Sequence, residues 1–258
     1  MSKLTAAQIA DEAVGALLEE VHLTPKPGLV DEDNCGAHSD MTLELFEHSA
    51  ECLRGYFETA FTMGLQREQT MPELQQAGLE AEKTMYSVTG GVNTHKGAIY
   101  SFGLLLSALG SCQAFGAEPF SVAAALAAAG KPPKGATHGN EVREKHPRAG
   151  ARQEALDGFP NVLSAYNVLE ETGSAHMALL WLIASVPDTN VLYRGGDDGL
   201  TFVQSSAKRL LMRPEPLLPQ LRELDRAFNE KGLSPGGCAD LLAAALLLRR
   251  TKPIWDPD

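Results

Sequence analysis

Five short segments concentrate the residues able to do chemistry, and each opens onto an apolar helical pattern. The first is Pro25-Lys26-Pro27-Gly28-Leu29-Val30-Asp31, running on to Asn34, Gly36, His38, Asp40 and Met41. Two prolines fix its backbone and two glycines permit tight turns, which gives a rigid loop presenting Lys26, Asp31, Asn34, His38 and Asp40. Oxygen donors of this kind suit Mg2+, which takes one or two carboxylates together with substrate phosphates. Helix capping by Asp31 or Asp40 is the plainer alternative for each residue taken singly. The second segment is Thr89-Gly90-Gly91-Val92-Asn93-Thr94-His95-Lys96-Gly97. Free backbone amides at a helix start bind anions, Lys96 adds a full positive charge, and His95 could serve as a general acid or a phosphate donor. The GxxxxGKS/T spacing of a Walker loop is not met.

The third segment joins Gly150-Ala151-Arg152-Gln153-Glu154 to Gly158-Phe159-Pro160. Arg152 can hold a phosphate through two parallel hydrogen bonds, and Glu154 can hold a metal or a ribose hydroxyl; a surface Arg–Glu pair is the plainer alternative. The fourth pairs Asp188-Thr189-Asn190 with Arg194-Gly195-Gly196-Asp197-Asp198-Gly199, a further carboxylate and a further phosphate-competent arginine. The fifth is Ser234-Pro235-Gly236-Gly237-Cys238-Ala239-Asp240. Ser234 suits an N-cap and Pro235 a first helical position. Gly236 and Gly237 in the first turn imply that something approaches the backbone closely there. Each signal is weak alone. Together they point to a polyphosphate–metal site where helix entrances meet.

The elements that must position these segments read almost entirely at the helical period. Thr5 and Gln8 form a capping box ahead of the stripe Ile9, Ala13, Leu17, Val21. Helical patterns follow over Thr42–Met63, Leu74–Tyr86, Lys96–Cys112, Pro119–Ala129, Val162–Glu171, Ala175–Val186, Thr201–Leu211, Leu217–Asn229 and Pro235–Arg250. Asn190–Tyr193 is the sole β-like run, and no period of about 20–50 residues recurs. The expectation is an all-α fold, one multi-helix domain over residues 1–258 with its Gly-rich loops gathered at one end. Residues 131–152 read as a loop, rich in Pro and Gly and locally basic, either a solvated loop or a lid over a polyphosphate.

The 258 residues carry a net charge of −11, with 44% hydrophobic and 21% charged residues, so a packed core rather than disorder is expected. The acidic balance excludes a nucleic-acid-coating protein, which needs clustered Lys and Arg. The four cysteines form no CxxC pair and no disulfide framework, and no apolar run such as Ala178–Val186 or Leu241–Leu248 nears a span of about 18 residues. A reduced cytoplasmic location without membrane attachment is expected.

Over nearly the whole chain the sequence resembles the triphosphoribosyl-dephospho-CoA synthase family, also called ATP:dephospho-CoA triphosphoribosyltransferase. The residues that carry the resemblance are PKPGLVD at 25–31, NCGAHSDM at 34–41, GVNTHKGAIYSFGLL at 91–105, GARQEALDGFP at 150–160, DTNVLYRGG at 188–196 and LSPGGCADLLA at 233–243. The family more often has Gly where this chain has Gln153. The resemblance implies an all-α enzyme that moves the 5-triphosphoribosyl group of ATP to the 2′-hydroxyl of 3′-dephospho-CoA and releases adenine. The product is the precursor of the prosthetic group on the acyl-carrier subunit of citrate lyase or malonate decarboxylase; the NCGAH form leans toward citrate lyase. An α-linked product from β-linked ATP implies direct displacement.

Under that resemblance the residues take expected roles. Asp31, Asp40 and Asp188 would hold Mg2+ or the cationic sugar. Asp240 would be the general base, with Glu154 second and His95 beside it. Lys26, Lys96, Arg152 and Arg194 would hold phosphates, and Asn93, Thr94, Gly236 and Gly237 would complete the nucleotide site. Rival readings are a kinase using the same ATP-binding groups, an all-α phosphohydrolase, whose His-Asp dipeptide the chain lacks, and a non-enzymatic helical module. A homo-oligomer is left open.

Overall fold

A computed structural model describes residues 3–66, 71–131, 142, 145–212 and 217–256. Its helices are α1 (Ala6–His22), α2 (Leu43–Cys52), α3 (Arg54–Gly64), α4 (Met71–Val88), α5 (Lys96–Phe115), α6 (Pro119–Ala129), α7 (Ala151–Leu156), α8 (Pro160–Thr172), α9 (Ala175–Ser185), α10 (Thr189–Leu211), α11 (Leu217–Glu230), α12 (Gly236–Arg250) and α13 (Lys252–Trp255). No strand occurs among the described residues, so the expected all-α class holds.

Two helices apolar on every side form the centre, as helices without a polar face must. Along α5 every residue from Ser101 to Ser111 is buried, and along α12 every residue from Leu241 to Leu248. The two touch each other; α3 and α6 cover α5, while α1, α8 and α9 cover α12. By length and a mean hydropathy of 1.4, α5 would pass for a membrane span, but 72% of that window is buried inside the bundle. Phe57 and Phe61 of α3 and Phe102 of α5 are fully buried, and the Phe57 and Phe102 rings lie 5.4 Å apart. Each such burial contributes roughly 1.5–3 kcal/mol. Arg250 at the end of α12 reaches Glu12 at 3.0 Å and Glu19 at 2.8 Å, tying α12 to α1.

The crossing of α3 and α5 depends on two glycines. A Cβ on Gly64 would overlap the Ser107 carbonyl, and one on Gly110 would overlap the Phe61 carbonyl. Backbones this close leave room for hydrogen only.

The Thr5–Gln8 capping box forms as expected, and Pro119 and Pro160 open α6 and α8. Two expectations are corrected. The pattern over Thr42–Met63 breaks at Leu53, whose amide bonds the Ala50 carbonyl at 3.2 Å in a tightened turn, so α2 and α3 are separate. Asn190–Tyr193 is helical rather than β-like: the Asp188 side chain caps α10 from Asn190 and Val191, and the helix runs to Leu211 through a kink at Gly196 (φ 61). Local capping decides there against β-propensity.

Substituting Gly64→Ala should lower stability by about 1–3 kcal/mol, seen as a fall of roughly 2–4 °C in Tm per kcal/mol. Gly55→Ala on the same helix, where nothing lies within 4 Å of the new methyl, should be neutral or stabilising. Equal losses in both would contradict the close crossing.

Candidate active site

The five helix entrances border one cavity of about 1700 Å3. Its floor begins with the loop after α1. Asp31 staples this loop, accepting from the amides of Lys26 (2.7 Å), Asp33 (2.8 Å) and Asn34 (3.0 Å). Asp225 of α11 holds it from outside through Gly28 N at 3.0 Å and Asn34 Nδ2 at 2.9 Å. Gly28 sits at φ 75 against the Leu233 carbonyl, a position closed to any side chain. The staple turns Lys26 inward, where it is 2% exposed and meets Glu20 of α1 at 2.5 Å. Asp31 itself does not line the cavity. The expected catalytic and metal roles of Asp31 are therefore corrected to a loop-fixing one.

At the start of α5, the chain's own carboxylate takes the place expected for phosphate. Asp240 packs against Gly97, where a Cβ would overlap its Oδ2, and it accepts a bond from the Ala98 amide. Asn93 Oδ1 accepts from the Lys96 amide at 3.2 Å. Lys96 Nζ is paired with Glu82 of α4 at 2.8 Å, so its charge is already answered. His95 is buried, with Nδ1 2.7 Å from Ser49 Oγ, which in turn lies 2.6 Å from Thr94 Oγ1. Burial first, then the nearby Lys26 ammonium, push the His95 imidazole down to about 3. In its neutral form the imidazole keeps one N–H donor and one acceptor, so His95 can hydrogen-bond a ligand without carrying charge.

The start of α12 repeats the device. Asp188 caps α10 through Asn190 N (2.8 Å) and Val191 N (3.1 Å), and also accepts from Cys238 N at 2.9 Å. The close approach expected at Gly236 and Gly237 is real, but the groups that approach are Asn190 Nδ2 and Asp188 Oδ2. Those glycines make room for a neighbouring helix cap. Ser234, expected as the N-cap, makes no cap hydrogen bond.

Basic groups gather elsewhere on the cavity wall: Lys131, Arg148, Arg152 and Arg194. None of these four takes part in an ion pair among the described residues. Arg152 donates to the Gly130 carbonyl at 3.1 Å, and Arg194 is strapped to the carbonyls of Ala37 (3.1 Å) and Gly232 (3.3 Å). Glu154, 8% exposed, caps α8 by accepting from Asn161 N, Asn161 Nδ2 and Val162 N, which leaves it little freedom to serve as a base. Of the basic 131–152 segment, residues 132–141 and 143–144 lie outside the described residues, and the lid expectation falls there.

Thus Lys26, Asp40, Asn93, Thr94, His95, Lys96, Arg152, Glu154, Asp188, Arg194, Gly236, Gly237 and Asp240 all line the same cavity. Sequence reasoning missed Glu20 and Glu82. Glu20 sits on the buried face of α1 with Ala13, Ala16 and Leu17, and a carboxylate interrupting that apolar stripe was the available signal.

The residues do not fit a protein-held Mg2+ on Asp31, Asp40 and Asp188. Backbone amides engage the oxygens of Asp31 and Asp188, Asp31 faces away from the cavity, and no group of three ligating His, Cys, Asp or Glu converges among the described residues.

The profile of the family described as ATP:dephospho-CoA triphosphoribosyl transferase matches residues 6–256. A protein of Klebsiella pneumoniae named 2-(5''-triphosphoribosyl)-3'-dephosphocoenzyme-A synthase is 39% identical, the alignment covering 95% of this chain and 91% of that protein. A protein of the same name from Haemophilus ducreyi is 37% identical, over 93% of this chain and 87% of its own.

Asp240 joins these elements electrostatically. Burial first, then the carboxylates of Glu20 and Asp188, push its carboxyl well above the ordinary range. A raised native pKa means that the folded state binds the proton more tightly, so stability from this group is present at low pH and lost as pH rises through the raised value. Asp240→Asn should therefore raise Tm, by a margin that widens from pH 4 to pH 8 in thermal unfolding; a margin constant with pH would show that the three carboxylates do not interact.

Proposed function

The chain belongs to the ATP:dephospho-CoA triphosphoribosyl transferase family and is a transferase, and from that premise we propose that it moves the 5-triphosphoribosyl group of ATP to the 2′-hydroxyl of 3′-dephospho-CoA with release of adenine. The observation that supports this reading most is a single cavity lined both by buried carboxylates and by basic groups. Its lining includes Glu20, Asp188 and Asp240, with Lys26 paired to Glu20, and it also includes Lys131, Arg148 and Arg152, which have no ion-pair partner among the described residues. At about 1700 Å3 it exceeds the roughly 300–1,000 Å3 of a single small-ligand site and has room for two nucleotides.

In the proposed step the C1′–N9 bond of ATP breaks as a bond forms between C1′ and the acceptor 2′-oxygen. Positive charge builds on the ribose, and the floor carboxylates stabilise it. Asp240 takes the proton of the acceptor hydroxyl, and its raised pKa makes it a stronger base than an ordinary carboxylate. Adenine departs from the opposite face with the electron pair of the C1′–N9 bond and takes up a proton from solvent water. The triphosphate, arriving as its Mg2+ complex, lies against Arg148 and Arg152, because Lys26 and Lys96 are already paired with Glu20 and Glu82. The four cysteines are free thiols, in keeping with a reducing cytoplasmic setting, and the product would serve the acyl-carrier subunit of citrate lyase or malonate decarboxylase.

Incubation with Mg-ATP and dephospho-CoA should yield adenine and an adduct heavier by a triphosphoribosyl group, read by chromatography and mass analysis; ADP in place of adenine would make the protein a kinase. Asp240→Asn should cut turnover by at least about 10²-fold and abolish the low-pH limb of the rate profile, a limb along which activity rises with pH as the base ionises. Arg152→Ala should raise the KM for ATP more than Lys96→Ala does, the reverse order placing the triphosphate at α5.

A further inference from the structure

Three side chains on the cavity wall form a chain that neither the proposed reaction nor the helix caps use. Arg194 Nη2 lies 3.2 Å from His38 Nδ1, and His38 Nε2 lies 2.8 Å from Ser234 Oγ. All three residues line the cavity, and Ser234 is 1% exposed. The arrangement superficially matches a Ser–His pair activated for nucleophilic attack, with arginine where a carboxylate would stand.

The proton inventory decides against that. A guanidinium has donors and no acceptor, so His38 Nδ1 must present its lone pair to Arg194. In a neutral imidazole the proton then sits on Nε2, which donates to Ser234 Oγ and cannot take a proton from it. The imidazole is held neutral by burial and by the Arg194 charge, which together outweigh the opposing effect of Asp40. Arg194 is itself fixed by the carbonyls of Ala37 and Gly232, so the direction of every donor in the chain is set by backbone. Ser234 Oγ accepts from His38, and its own hydroxyl proton has no acceptor among the described residues. That proton is therefore available to an acceptor in the cavity that Ser234 lines.

We propose that Ser234 is a substrate-contacting hydroxyl that donates to an oxygen of a bound nucleotide, and that His38 and Arg194 are positioning residues that fix it as a donor. The inference deepens the reading of the cavity as a nucleotide site and rests on it. The oxygen belongs either to ATP or to dephospho-CoA, and a separate measurement on each tells them apart.

The test is calorimetric binding of Mg-ATP and of dephospho-CoA to the intact protein, with Ser234→Ala, His38→Ala, His38→Gln and the Ser234→Ala/His38→Ala double variant. Glutamine can accept from Arg194 through its carbonyl and donate to Ser234 through its amide. Ser234→Ala should weaken one nucleotide about tenfold and leave the other unchanged. His38→Ala should weaken the same nucleotide several-fold, His38→Gln should restore it, and His38→Ala should have no further effect once Ser234 is alanine. Four results would overturn the proposal: unchanged affinity for both nucleotides in Ser234→Ala; equal weakening of both; a His38→Ala loss that persists in the alanine background, which is what a mere loop strap would give; or labelling of Ser234 by a fluorophosphonate probe, which would make it a nucleophile. Binding is read without turnover, so failure of the transfer reading shows separately, as absence of adenine from the wild-type protein.

Discussion

Three carboxylates and one ammonium in the floor of a large cavity set the terms for the rest of the molecule. Burial first, then the carboxylates of Glu20 and Asp188, push the Asp240 carboxyl upward, while Lys26 is paired with Glu20. Burying like charges is costly unless fixed dipoles and hydrogen bonds compensate. The compensation is built from helix starts. Asp188 accepts amides from α10 and α12 at once, and Asp240 accepts the Ala98 amide at the head of α5. Asp188 and Asp240 each lie where a helix N-terminus is electropositive, so these two carboxylates and the central helices hold each other in place.

That arrangement also explains where phosphate cannot easily go. The heads of α5 and α12 are the obvious anion sites in the sequence, yet the protein's own side chains fill them. Lys96 beside α5 is neutralised by Glu82, and Lys26 by Glu20. Positive charge without an ion-pair partner among the described residues lies instead at Lys131, Arg148 and Arg152, on the segment between α6 and α7 and the first turn of α7. Arg152 keeps part of its donor set for a ligand, since one bond goes to the Gly130 carbonyl.

Much of this was legible in the sequence because the signals were local. Capping residues, prolines at helix starts and glycine-rich entrances marked the helices and the segments that surround the cavity, and Lys96, Arg152, Asp188 and Asp240 do meet there. What escaped was non-local. Nothing in Ser234-Pro235-Gly236-Gly237 says that the group crowding the glycines is Asp188, about fifty residues earlier, rather than a ligand. The pairing of Lys26 with Glu20 and of Arg194 with His38 depends on loop geometry that long-range bonds such as those of Asp225, together with the Asp31 staple, enforce. Asn190–Tyr193 has β-like residue types, and the cap at Asp188 overrides them. A charge buried on an apolar stripe, as at Glu20, was the one long-range clue the sequence did contain.

The separation of charge within the cavity bears directly on the proposed chemistry. A triphosphoribosyl donor becomes more dipolar as its glycosidic bond breaks, positive at the anomeric carbon while the triphosphate stays negative. A site uniformly basic would hold ATP well and oppose the charge that develops on the sugar, whereas a uniformly acidic one would repel the triphosphate. Binding that strengthens only along the reaction coordinate needs opposite fields a short distance apart. In this protein helix starts hold Asp188 and Asp240 in place, while Lys131, Arg148 and Arg152 line the same cavity. Carboxylates held by helix caps are oriented before the glycosidic bond breaks, which is what preorganisation for the transition state requires.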